Sequence, residues 1–178
     1  MTGLERVRAL LAGEPCDHLP VQPMVMLYAA KYAGIPFREY CCDGRKMAEA
    51  QLLTAREFQL DALLTCSDPA REVCDIAGDA SVEWFDDQPP AIHEHRAALQ
   101  DKARLQEFAV PAPEQPGRMH DRIVGIQAMR QAVGDNTSIV GWVEGPLALA
   151  AELRGINAIM VDFVDDPAFV HRLLAYTA

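Results

Sequence analysis

Residues 137–178 read TSIVGWVEGPLALAAELRGINAIMVDFVDDPAFVHRLLAYTA, and this stretch decides the fold. Ser138–Val143 is a short apolar run that suits a buried strand. Gly145-Pro146 then turns the chain, because proline has no N–H to lose and a φ already set for the first helical turn. A helix is expected from Pro146 until Gly155 breaks it, and a second helix to about Phe163. A third is opened by Asp166 as cap with Pro167 at the first helical position. A strand running through a ligand-facing turn into helices is the repeating unit of an α/β fold with parallel pairing.

The chain upstream fits the same alternation. Met119, Ile123, Ile126, Met129 and Val133 predict an amphipathic helix ending at Gly134. Between Asp86 and Gly117, Pro89, Pro90, Pro111, Pro113 and Pro116 mark an irregular excursion with at most a short helix over Arg96–Gln106. No charge run or Gly/Ser tract makes it a linker, so one domain is expected over residues 1–178. Leu60–Thr65 is nearly continuous apolar sequence, as in a parallel strand covered on both faces. The turn Cys66-Ser67-Asp68-Pro69 closes it. Ala70–Ala77 reads as a short helix and Ser81–Phe85 as an edge strand. Asp43 can cap a helix over Gly44–Gln59 with Met47, Ala50, Thr54 and Phe58 inward. Leu19–Met24 suits a first strand running into a loop, weakened by Pro23. Thr2 and Glu5 form a capping box. Leu4, Val7, Leu10 and Leu11 share one face of that helix, and Gly13 and Pro15 end it.

Composition narrows the function classes. The 178 residues are 50% apolar and 24% charged, with a formal net charge of −10. That is ordinary for a globular domain, and the absence of a basic stripe argues against nucleic acid as a partner. Arg6, Arg8 and Glu5 interrupt any signal core, and no apolar run is long enough to span a bilayer. A cytoplasmic protein without membrane contact is expected. Cys16, Cys41, Cys42, Cys66 and Cys74 are odd in number and irregularly spaced, which suits free thiols.

Three stretches resemble the uroporphyrinogen decarboxylase superfamily, which includes the decarboxylase and cobalamin-linked methyltransferases. They are Glu5–Glu14 followed by Asp17–Val21, then Asp61-Ala62 through Ser67-Asp68, then Gly141–Ala150 followed by Asp165–Val170. The resemblance implies a (β/α)8 barrel, which typically needs about 250 residues. Only three inner strands are expected here, near Leu19–Met24, Leu60–Thr65 and Ser138–Val143. The chain therefore reads as the N-terminal half of such a barrel, either cut from a longer polypeptide or completed by a second copy as a homodimer. The decarboxylase carries an Arg-Gln-Ala-Gly-Arg-Tyr type motif whose arginines pair with the carboxylates of a tetrapyrrole. The matching residues here are Leu27-Tyr28-Ala29-Ala30-Lys31-Tyr32. Leucine cannot pair with a carboxylate, and lysine lacks the planar fork of arginine. The resemblance then favours the methyltransferase branch, in which a corrinoid, carried by a partner protein, supplies a methyl group to a thiol or folate-type acceptor. In that branch zinc binds the acceptor thiol through a His-x-Cys pair and a distant Cys. Those ligands belong to the absent C-terminal half, so no metal ligand is expected in this chain. The alternatives are uroporphyrinogen decarboxylase of porphyrin biosynthesis, which needs no cofactor, and a half-barrel that only binds or assembles. The fragment alone is expected to be inactive.

Candidate residues each carry two readings. Asp68 follows a barrel strand, where the resemblance gives its counterpart contact with pyrrole nitrogens; it also suits a turn before Pro69. Glu144 can serve a catalytic or metal-related role, or stabilise the helix start behind it. Gly145 can present backbone N–H groups to an anion. Tyr28 and Tyr32 can line a cleft beside Lys31 or pack on one helical face. Met24 and Met26 can meet a corrin or fill a core. His93-x-His95 has metal-site spacing but reads better as an exposed loop pair, Cys66 as buried and inert, Cys41-Cys42 as structural, and His171 as ordinary surface or packing.

Overall fold

Helix α1 (Gly3–Ala12) begins with the expected capping box, Thr2 and Glu5 bonding each other's backbone N–H, and ends where Gly13 takes a left-handed φ of 71°. The computed structural model describes residues 1–178. The helices that follow are α2 (Met26–Ala33), α3 (Phe37–Cys42), α4 (Gly44–Phe58), α5 (Ala70–Ala77), α6 (Arg118–Val133), α7 (Pro146–Arg154), α8 (Ile156–Asp165) and α9 (Pro167–Thr177). The strands are β1 (Ala62–Leu64), β2 (Val82–Glu83), β3 (Ala91–Ile92) and β4 (Ser138–Val140). None of the helices is long and apolar enough to cross a membrane.

The chain divides into two units. The first comprises Met1–Ser67, Asp86–Pro89 and Asp121–Trp142. Its sheet pairs β1 with β4 in parallel, Leu63 opposite Ile139, and β1 is buried at all three positions. The parallel pairing expected from the strand and helix alternation is therefore present. The first expected strand is not. Leu19–Met24 lies beside β1 and shares one backbone hydrogen bond, from Asp61 N to Val21 O at 3.0 Å. Pro20 and Pro23 have no N–H to donate, which leaves gaps in any ladder through Val21. A side chain substitutes for it: Asp61 Oδ2 accepts from Val21 N at 2.8 Å. Asp61 Oδ1 accepts from Arg6 Nη1 at 2.8 Å, and Arg6 grips Asp17 through Nε and Nη2 at 2.7 and 2.8 Å. That fork holds the Asp17 carboxyl well below its ordinary range.

Helix α4 is capped by Asp43, whose Oδ1 accepts from Arg45 N and Lys46 N. It buries Met47, Ala50 and Thr54 as expected, but Phe58 is 48% exposed and stands against Tyr28 and Tyr32. Leu10 and Leu11 also face outward; Ala9 is the buried residue of α1. Gly44 starts α4 against α6 so closely that a Cβ there would stand 2.1 Å from the Asp121 carbonyl oxygen.

The second unit comprises Asp68–Phe85, Pro90–His120 and Val143–Ala178. Its core gathers Val73 of α5, Leu99, Leu149 and Leu153 of α7, Ile159 of α8, and Phe169, Val170 and Leu173 of α9. Pro146 opens α7, Gly155 separates α7 from α8 at a φ of 95°, and Asp166 caps α9 by accepting from Phe169 N. The expected short helix over Arg96–Gln106 is instead two 3-10 turns, Glu94–Arg96 and Lys102–Glu107. Strands β2 and β3 pair antiparallel, Val82 opposite Ile92. Arg154 ties this unit together, donating to Asp162 Oδ2 and to the Leu99 carbonyl, each at 2.7 Å. Lys102 Nζ takes the other Asp162 oxygen at 2.6 Å. Burial opposes ionisation of Asp162, yet these two cations leave its carboxyl below the ordinary range.

Candidate functional site

In the second unit the Cys66–Pro69 turn delivers Asp68 to the start of α5. Asp68 Oδ1 accepts from Ala70 N at 3.0 Å, as a helix cap does. Both readings of this residue therefore meet in one side chain, because the same carboxylate is also gripped by a guanidinium. Arg118 Nη1 donates to Oδ1 at 3.0 Å and Nη2 to Oδ2 at 2.7 Å, with the Asp68 side chain fully buried. Such a two-point pair is charge-assisted and fixed in orientation. Arg118 is set in turn by its surroundings. Its guanidinium lies 4.8 Å over the Trp84 ring. Asp75 accepts from the backbone N–H groups of Arg118 and Met119 at 2.8 and 2.7 Å, capping α6. Arg71, fully buried, donates to the Arg118 carbonyl. Cys74 lies 3.8 Å from Arg118 Nη1, but burial dominates and pushes its thiol up. It is not an activated nucleophile.

Further carboxyls gather around this pair. Glu72 on α5 is buried. Glu144 is half-buried, just before Gly145, which is the N-cap residue of α7. Glu152 on α7 is half-buried, and its Oε2 is shut off from solvent with no hydrogen-bond partner. Burial, then Glu144, Glu72 and Asp68, push the Glu152 carboxyl up to about 8. At neutral pH it holds its proton, while Asp68 is paired with the Arg118 guanidinium. A proton-holding carboxyl near one paired with arginine is raw material for acid–base chemistry. The balance of charge is acidic, and it suits a cation or an N–H donor better than a polyanion.

A family model described as Uroporphyrinogen decarboxylase (URO-D) matches residues 2–178. The chain belongs to the URO-D family. Similar curated relatives include a uroporphyrinogen decarboxylase of Anaeromyxobacter sp. (strain Fw109-5), 27% identical over 90% of this chain and 49% of the relative. Another, of Anaeromyxobacter dehalogenans (strain 2CP-C), is 24% identical over 94% of this chain and 51% of the relative. The chain spans about half the length of these relatives. Among solved structures it resembles a methyltransferase from Methanosarcina mazei, with a TM-score of 0.85 at 23% identity, over 99% of this chain and 52% of that one. That likeness concerns the fold.

Within this URO-D family chain, Asp68, Glu144 and Gly145 fall in the second unit, and Met24, Tyr28 and Lys31 in the first. Tyr28 and Tyr32 stack on α2 with ring centroids 6.1 Å apart, and both meet Phe58. Met24 is 58% exposed, Lys31 is exposed and Leu27 is half-buried. His93 pairs with Glu83, and its ring lies 5.2 Å from that of His95. Cys66 and Cys41 are buried, and His171 is exposed. Sequence reasoning missed Arg118 and Glu152. Arg118 acts on a residue 50 positions away, with no local signal. Glu152 could have been found as the one acid in the apolar helix PLALAAELR.

Proposed function

We propose that this chain is the N-terminal half of a (β/α)8 barrel enzyme that passes a methyl group from a corrinoid, carried on a partner protein, to a thiol or folate-type acceptor. The observation that carries this reading is the chemistry of Leu27 and Lys31. They stand where the decarboxylase resemblance requires two arginines, and neither offers the two-point fork that pairs tetrapyrrole carboxylates. The acidic surroundings of Asp68 support the same choice. The half-barrel reading is supported by the parallel β1–β4 pair, by helices between and after these strands, and by the half-length match to relatives. In this account Asp68, held rigid by Arg118, and Glu144 shape the reacting site. Gly145 beside them, and separately Met24, Tyr28 and Lys31 of the first unit, are proposed substrate contacts.

The residues of this chain do not fit a zinc site. No group of three or more His, Cys, Asp and Glu side chains is placed to hold a metal. His93 is committed to Glu83, and burial keeps the Cys74 thiol from the thiolate form that zinc binds. No step here depends on zinc, whose ligands the family resemblance alone assigns to another part of such proteins.

A second reading, uroporphyrinogen decarboxylation, is favoured by the names of both curated relatives and by Glu152, a proton-holding carboxyl near Asp68. The test uses the polypeptide that carries this chain, incubated with methylcobalamin and a small thiol. Formation of the S-methyl product, abolished by a chelator, is the expected result. No methyl product at any thiol concentration would reject the methyl-transfer reading.

A further inference from the structure

In the second unit, α8 (INAIMVDFVD) turns Ile159 and Asp162 inward, where both are buried. On its other side Ile156, Met160 and Val164, spaced four residues apart, form one row and are 64%, 61% and 81% exposed. Val161 and Phe163 flank the row and are also exposed. Leu147 is the only other large apolar side chain exposed on a helix of this unit. The five on α8 leave on the order of 500 Å² of apolar surface open to water, as large as the largest patch on most monomers, and such patches often mark contact sites. Asn157, the polar side chain beside the row, already has its partner: Nδ2 donates to Glu94 Oε2 at 2.6 Å. Glu94 is used as well, its Oε1 accepting from Asn157 N and Ala158 N at 2.9 and 3.3 Å. At the head of the row lies a hollow of about 380 Å³, walled by Ile92, Ala148, Ala151 and Ile156 itself.

We propose that α8 docks on a second copy of this chain, the two helices packed antiparallel about a twofold axis at Met160. Area supports a second copy: two such faces bury about 1,000 Å² of apolar surface from these side chains alone, where specific interfaces begin. Shape supports it too. A twofold axis at Met160 sets Ile156 of each copy opposite Val164 of the other, so the tail of each row meets the hollow at the head of its mate. One surface then supplies both ridge and hollow, as a self-complementary contact requires. Charge sets the direction. Helix α8 holds no lysine or arginine, and its exposed acid is Asp165. Asp165 lies five residues beyond Met160, so antiparallel packing holds the two carboxylates roughly 15 Å apart along the axis, beyond the screening length. Parallel packing would set them level. The lack of basic residues also disfavours a lipid surface, which attracts helices bearing Lys and Arg. The inference does not rest on the methyl-transfer reading, and this contact differs from one that completes a barrel.

Sedimentation velocity across the micromolar range, on the polypeptide that carries this chain, tests this. Wild type should form a dimer. Met160→Lys and Met160→Glu should each weaken it at least tenfold while leaving the far-UV circular dichroism unchanged, because each places like charges face to face at the axis. An equimolar mixture of the two variants should restore the dimer, since the new ammonium of one copy then meets the new carboxylate of the other. A wild type that stays monomeric at every concentration would overturn the proposal, whether the rest of the polypeptide covers α8 or the monomer instead binds phosphatidylcholine vesicles. So would a dimer that both variants leave intact, as a barrel-completing contact would be, or a mixture that stays monomeric.

Discussion

Glu152→Gln isolates the cost of keeping a carboxyl in the second unit without a partner. Gln keeps the size and cannot ionise. In the folded chain Glu152 titrates near 8, against an ordinary 4.5. Below pH 4.5 both folded and unfolded chains hold the proton, and there is no cost. Above it the unfolded chain ionises and the folded chain does not, so stability falls as pH rises from about 4.5 to about 8 and then levels off. Each pH step in that window is worth ~1.4 kcal/mol, or ~3 kcal/mol in full by pH 7. The side chain keeps partial access to solvent, and screening reduces this to about 1–2 kcal/mol. Urea unfolding of wild type and Glu152→Gln at pH 4.5 and 7.5 reads the difference. The variant should match wild type at the lower pH and exceed it by about 1–2 kcal/mol at the higher one. An equal difference at both pH values would refute the idea that burial and the neighbouring carboxylates hold the proton on Glu152.

Arg118→Ala leaves the buried Asp68 carboxylate without its fork and should cost about 3–5 kcal/mol in urea unfolding, with Arg118→Lys recovering only part. Gly44→Ala places a Cβ 2.1 Å from the Asp121 carbonyl oxygen, so α4 and α6 must separate, at a cost of at least ~2 kcal/mol; an unchanged midpoint would show that this approach is relaxed. Asp17→Asn removes stabilisation that is present above the ordinary aspartate range and is lost as pH falls toward the depressed folded value. Wild type should therefore exceed the variant at pH 6, with the gap closing on acidification.

Local chemistry made much of the fold legible. Thr2–Glu5, Asp43, Gly155 and Asp166-Pro167 are capping and breaking signals that act within one or two helical turns, and each marks a helix end where it was expected. The apolar run around β1 gave its strand for the same reason. The misreadings share a different cause. Leu19–Met24 has the right apolarity for a strand, but Pro20 and Pro23 interrupt its row of donors, and Val21 N is taken by the Asp61 side chain. Leu10, Leu11 and Phe58 lie on helical faces whose burial only tertiary packing decides. The candidate site divides along the same line. Asp68 and Glu144 stand out because they follow strands. Arg118 and the protonated state of Glu152 depend on residues far apart in sequence, and no periodicity encodes that proximity.

Under the proposed methyl-transfer reading, the polypeptide carrying this chain moves methyl groups and leaves the carboxylates of a tetrapyrrole in place. The most direct test offers it uroporphyrinogen and, in parallel, methylcobalamin with a small thiol, and reads both products by mass spectrometry. S-methyl product, with the octacarboxylate recovered unchanged, is the expected result. Stepwise loss of carboxyl groups from uroporphyrinogen, with methylcobalamin left intact, would contradict it.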